Sequence, residues 1–122
     1  MELDAIDRRI LDRLQRNGRV SNVELAREVG LSPSPCLRRV RDLETAGIID
    51  RYAAVLDQTA VGLSLSVFVQ VTLERQIESA LETFERVVGT RPEVMECYLM
   101  TGDSDYLLRV VVADVTAYER FL

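Results

Sequence analysis

Three arginines crowd one short run of this 122-residue chain. Arg38, Arg39 and Arg41 follow Pro33 and Pro35 in LSPSPCLRRVRDLETAG, residues 31–47. Guanidinium groups at that density neutralise phosphates, and from a helix they reach the O6 and N7 edges of guanine with paired hydrogen bonds. The plainer alternative is a surface that water simply solvates. Nucleophilic chemistry is much less available. The chain has no histidine, so no Ser-His or Cys-His pair exists, and its two cysteines, Cys36 and Cys97, lack a CxxC spacing and any histidine to share a metal with. They read as reduced, buried, small apolar residues. Catalytic residues, a metal site and an enzyme are therefore not expected.

The net charge of −5 is at odds with a polyanionic partner until it is divided along the chain. Residues 1–50 hold nine arginines and nine acids, whereas residues 51–122 hold six arginines and eleven acids, so the whole excess lies in the second part. Charge acts locally, over about 8 Å in physiological salt, and an acidic second domain kept off the duplex costs little. The composition, 48% hydrophobic and 29% charged, is that of a folded, water-soluble chain. No apolar run approaches the ~18 residues of a membrane span, and the amphipathic, acidic start is unlike a signal peptide, which points to the cytoplasm.

The elements that hold the arginines are legible. LDAIDRRILDRLQRNG sets Leu3, Ile6, Ile10, Leu11 and Leu14 at helical spacing behind Asp4 as N-cap. In RVSNVELAREVG, Ser21 and Glu24 have the spacing of a capping box, Val20 and Leu25 that of a hydrophobic staple, and Gly30 that of a stop. Ser32 is placed to cap a third helix, with Pro33 in its first position and Pro35 still inside the first turn. Cys36, Leu37, Val40 and Leu43 then gather on one side, Ser34, Arg38, Arg41 and Thr45 on the other, and Pro35 and Arg39 on the flanks. Three helices with a short glycine-containing connection between the second and third form a helix-turn-helix, here of the winged type. Its third helix enters the major groove by its N-terminal turns, which puts Arg38, with Ser34 and Pro35, at the base edges and Arg39 and Arg41 near phosphates, without spacing alone sorting them.

The remainder divides into a linking strand and turn, residues 51–62, and a second domain, residues 63–122, after a first domain of residues 1–50. GIIDRYAAVLD reads as the strand joining the halves. LSLSVFVQVTLE alternates cleanly, IESALETFERVVG is a helix, EVMECYLMTG and DYLLRVVVAD are strands joined by Gly102, Asp103 and Ser104, and Asp114 caps a last helix. The class is α+β, with a ferredoxin-like βαββα(β) arrangement that lacks its last strand. Helices on one sheet face leave Phe68, Gln70, Tyr98, Met100, Leu107 and Val111 on the other, an apolar patch suited to a homodimer.

These motifs resemble the Lrp/AsnC, or feast/famine, family of bacterial and archaeal transcription regulators. The likeness spans the chain and is carried by GLSPSPCLRRVRDLE, VFVQVTL and CYLMTGDSDYLLRVVV, the last close to the leucine-responsive branch. It implies a double-stranded DNA partner, pairing through the ferredoxin-like domain, assembly into tetramers, octamers or larger rings, and an amino-acid effector sensed between dimers, with no other cofactor. It places Ser32, Ser34, Pro35, Arg38 and Arg39 at the DNA-contacting start of the third helix, and Gly102, Asp103, Asp105 and Tyr106 at the effector site. Glycine allows close backbone approach, a carboxylate suits an α-ammonium, and turn N–H groups suit an α-carboxylate, although Asp103 and Asp105 also close hairpins readily. Family members continue past the position of Leu122 with the rest of the last helix, a fourth strand and a tail, so an open sheet edge is expected. The resemblance leads to a sequence-specific, amino-acid-responsive DNA-binding regulator. The rival from another class is a small-molecule sensing or assembly module whose helix-turn-helix makes only protein contacts.

Overall fold

Asp4 begins the first helix as its spacing requires. Its carboxylate accepts the Asp7 N–H at 2.8 Å while the Asp7 carboxylate accepts the Asp4 N–H at 3.2 Å, a reciprocal cap that starts α1 (Ala5–Arg16). The computed structural model describes all residues, Met1–Leu122, as two compact units, Met1–Ala54 and Val55–Leu122. In the first, α1 is followed by α2 (Asn22–Val29) and α3 (Pro33–Thr45). One core joins them: Ile10 of α1, Leu25, Ala26 and Val29 of α2, and Cys36 and Leu43 of α3 are all buried, with Leu3, Ile6, Leu14, Val20, Val40 and Ile49 packed around them. Truncating a fully buried Ile10 to alanine costs about 2–5 kcal/mol.

Three local expectations change in this unit. Ser21 accepts the Glu24 N–H, but the Glu24 carboxylate pairs with Arg27 one turn on and does not close the capping box. Ser32 is the N-cap of α3 yet makes no side-chain cap bond. The usual donor three residues on is Pro35, which has no N–H, so the Ser32 hydroxyl stays uncommitted. Leu37 does not join the apolar side of α3 and is 36% exposed, because the core is filled by Cys36, Val40 and Leu43, which lie farther round the helix.

The linking strand does not form. Residues 48–57 carry no ladder, since an extended segment becomes a strand only with a partner and none lies beside it. Its apolar residues go separate ways: Ile49 packs on the first core and donates its N–H to Leu43 O at 3.1 Å, whereas Val55 is almost fully exposed.

The second unit orders β1 (Leu65–Val71), α4 (Glu78–Val88), β2 (Val94–Leu99), β3 (Tyr106–Val112) and α5 (Val115–Phe121). Its sheet runs β1-β3-β2, antiparallel throughout. The register sets Leu65, Val67 and Val69 opposite Val112, Val110 and Leu108. This face is the core, with Val88 buried and Phe84, Tyr118 and Phe121 packed against it. Asp114 caps α5 by accepting the Ala117 N–H. Cys97, unlike Cys36, is exposed, since it lies on the edge strand β2. Partial burial, with Glu85 nearby, still pushes its thiol pKa up. No helix is long and apolar enough to cross a membrane.

Candidate nucleic-acid interface and effector site

The entry to α3 is fixed by contacts that its own sequence does not show. Gly30 ends α2 in the left-handed region, at φ 75°, which a glycine adopts without strain. Asn22, in the first turn of α2, donates from Nδ2 to Pro33 O at 2.8 Å and ties the starts of the two helices together. Proline then presets the first turn of α3.

Ser34, Leu37, Arg38, Arg41 and Asp42 line one exposed groove of about 440 Å³ along that helix. Neither Arg38 nor Arg41 forms an ion pair, so both guanidinium groups are free to meet an external anion. Pro35 lies half-buried at the edge.

Arg39, expected near phosphates, is different: its guanidinium already has partners within the chain. Its Nη1 lies 2.6 Å from Asp4 Oδ2 and 3.0 Å from Asp7 Oδ1, so the guanidinium clamps α3 to the N-terminal cap of α1. The Asp7 N–H donated to it, followed by the Arg39 guanidinium, holds the Asp4 carboxyl below the usual carboxylate range. Asp7 is itself buried, and Arg39 is its cationic partner. Spacing put Arg39 on the flank of α3; that the flank faces two carboxylates 32 and 35 residues earlier depends on how the helices pack.

The run 102–106 also divides. Gly102, at φ 115°, and Asp103 are exposed at the tip of the β2–β3 connection. Asp105 is not. Its Oδ2 accepts the Leu73 N–H at 2.7 Å, its N–H donates to Val71 O at 2.9 Å, and its own carbonyl accepts the Met100 N–H at 2.8 Å. It therefore latches the end of β1 to the start of β3. Tyr106 is buried on the helix side of the sheet, with its ring 4.6 Å from that of Phe84. Burial pushes its hydroxyl pKa up. Of the four residues expected at the effector site, the structure leaves two exposed and gives two internal partners.

On the sheet face opposite the core, the register brings Phe68 beside Arg109 and Gln70 beside Leu107, with Tyr98 beyond Leu107. Phe68 is 65% exposed and Tyr98 52%, while Met100 and Leu107 are half-buried. Val111, expected on this surface, shares its parity but is buried, 5% exposed, and presents no open area there. Ser66 lies opposite Val111, and the Gln58 amide bonds to Ser66 Oγ, so the 57–62 turn is held over that end of the sheet. A polar group interrupts the patch: Arg109 Nε donates to Glu96 Oε1 at 2.8 Å, and the Tyr98 hydroxyl donates to the same carboxylate. Those bonds, Tyr98 first, hold the Glu96 carboxyl below its usual range.

A three-helix unit with two unpaired arginines on its third helix, followed by a three-stranded sheet with one half-apolar open face, fits the class of DNA-binding regulators that carry a second domain. Comparison with known proteins bears this out. Residues 3–50 match the winged helix-turn-helix DNA-binding family and residues 66–122 the Lrp/AsnC ligand binding domain. The leucine-responsive regulatory protein of Escherichia coli is 50% identical over 121 residues, which cover 99% of this chain and 74% of that protein. Among solved structures, a transcriptional regulator from Neisseria meningitidis in complex with L-Met superposes with a TM-score of 0.93 at 47% identity, over 98% of this chain and 77% of that one. An AsnC family transcriptional regulator from Agrobacterium tumefaciens gives 0.94 at 44% identity, over 98% and 78%. The chain belongs to the Lrp/AsnC family of transcription regulators, with a DNA-binding helix-turn-helix and an amino-acid-binding domain.

Proposed function

We propose that this regulator binds its operators as a homodimer, reads each half-site with the Ser34–Arg38–Arg41 face of α3, and changes its DNA binding or assembly when an amino acid occupies the Gly102–Asp103 turn between dimers. The observation that carries the reading is the division among the arginines. Arg38 and Arg41 project from one face of α3 with no partner in the chain, while Arg39 is held by Asp4 and Asp7. Ser32, with an unbonded hydroxyl at the helix start, is suited to a backbone phosphate.

Pairing through Phe68, Tyr98, Gln70, Met100 and Leu107 supplies the two-fold symmetry that two half-sites require. The Glu96–Arg109–Tyr98 group satisfies its own hydrogen bonds and can be covered without an orphaned charge. Tetramers or octamers follow from stacking such dimers. The effector's α-ammonium is assigned to Asp103 and its carboxylate to backbone N–H groups of the turn, with Asp105 and Tyr106 holding that turn in place. An amino acid as effector is supported by the L-Met complex of the Neisseria regulator and by the name of the leucine-responsive relatives. Such a protein works in the cytoplasm, beside its DNA, and has no catalytic role.

The test is fluorescence anisotropy on fragments of its own promoter across a salt series, with each amino acid in turn. Affinity that falls with salt and shifts with one amino acid is expected, and Arg38→Ala should lose about 1–3 kcal/mol of preference for the specific site. Unchanged affinity in Arg38→Ala overturns this reading and leaves the helix-turn-helix as a module for protein contacts.

A further inference from the structure

Leu37 is the one apolar residue in the groove formed by Ser34, Leu37, Arg38, Arg41 and Asp42. Around the α3 axis the four residues Ser34, Leu37, Arg38 and Arg41 fall within about 100° of one another, and Leu37 stands roughly 110° from the Cys36 and Leu43 side that faces the core. The core of the unit takes Val40 from the same helix but not Leu37. A single exposed leucine means little by itself. This one sits at the fifth position of a helix whose first turns are its docking end, between a hydroxyl and two unpaired guanidinium groups.

We propose that Leu37 is a specificity-determining residue that reads the 5-methyl group of a thymine in the major groove. The proposal rests on the reading that this face of α3 meets the base edges. The major-groove edges of guanine, cytosine and adenine present hydrogen-bond donors and acceptors, and thymine adds an apolar group, its C5-methyl. An isobutyl side chain brought there by its polar neighbours gains by covering that methyl. Against any other base it displaces water from a polar edge and returns no hydrogen bond, which selects against that base. Arg38 and Arg41 supply attraction and paired hydrogen bonds at adjacent positions; Leu37 supplies a position where the requirement is shape and apolarity. Both act on the same half-site.

The experiment begins by selecting bound duplexes from a random pool with the intact protein and measuring their affinity by anisotropy. Deoxyuridine is then substituted for each selected thymine in turn, a change that removes only the methyl group. At one position per half-site the wild-type protein should weaken about fourfold, the value of one covered methyl, and Leu37→Ala should be indifferent to the same change. Leu37→Met, which keeps an apolar contact, should retain most of the response. If the wild-type protein tolerates deoxyuridine at every position, or if Leu37→Ala loses as much as wild type, the proposal is overturned. Should Leu37→Ala fail to fold, the wild-type deoxyuridine series and Leu37→Met decide it. Arg38→Ala separates the two readings. Loss of selectivity there with silent deoxyuridine sinks only the role of Leu37, whereas unchanged selectivity there removes the whole face and this residue with it.

Discussion

Asp105→Ala distinguishes a latch from a ligand. In the structure the carboxylate is nine-tenths buried and accepts the Leu73 N–H at 2.7 Å, just past the end of β1. Alanine removes the acceptor and leaves that N–H unpaired, while the backbone bonds of residue 105 to Val71 and Met100 survive. A lost hydrogen bond to a charged acceptor, with its partner orphaned, costs about 2 kcal/mol. Asparagine keeps one oxygen and forfeits only the charge, so Asp105→Asn should cost about half as much. For a unit of this size the urea m-value is about 1 kcal/mol per molar, so the midpoint should fall by about 2 M for alanine and about 1 M for asparagine. Far-UV circular dichroism at fixed protein concentration reads the shift, and amide hydrogen exchange at Leu73 reports the bond directly. A midpoint change below about 0.5 M in Asp105→Ala, with effector response abolished, would refute the latch and return the carboxylate to the ligand.

Other consequences follow from the same contacts. Ser21→Ala should destabilise the first unit by about 1 kcal/mol, because the hydroxyl caps α2, whereas Ser32→Ala should leave its melting unchanged and weaken only DNA binding. Asp4 has a folded-state pKa below its ordinary value of 3.8, so its contribution is present above that pH and is lost as pH falls through the depressed value. In Asp4→Asn the acid limb of the stability profile should flatten in that window, read by acid titration of the far-UV signal. Phe68→Glu places a charge at the centre of the open sheet face and should shift the protein to monomer in analytical ultracentrifugation. An unchanged dimer there would remove this face from the interface.

Much of the fold was readable from local signals, and the reason differs by element. The caps at Asp4, Ser21 and Asp114 and the stop at Gly30 involve residues within a turn of each other, so spacing is enough to find them. The alternation from Leu65 to Val71 named the correct core face because a strand's period of two leaves no other choice. The segment 48–57 misled for the same kind of reason: alternation describes a chain that could pair, and pairing needs a second strand. Ser32 shows how chemistry one turn away overrides a good capping residue, since Pro35 has no N–H to offer. Parity places Val111 on the open face, yet it is buried there, next to the Ser66 to which Gln58 is bonded, and parity carries no information on burial.

The amino-acid sequence by itself determined the class of this protein: three helices followed by βαββα, arginines at the start of the third helix, and no histidine for catalysis. Those properties depend on residue type and on periods of 3.6 and two, which act within a few positions. The tertiary structure decided what each polar group is for. Arg39 and Arg38 are neighbours in the chain, but only packing of α3 on α1 brings Asp4 and Asp7 to the first and leaves the second free. Asp103 and Asp105 are two residues apart, yet the end of β1 arrives beside only one of them and takes its carboxylate for the Leu73 N–H. An ion pair or hydrogen bond acts over about 3 Å in space whatever the distance along the chain, so the roles of these residues are settled only when the elements meet.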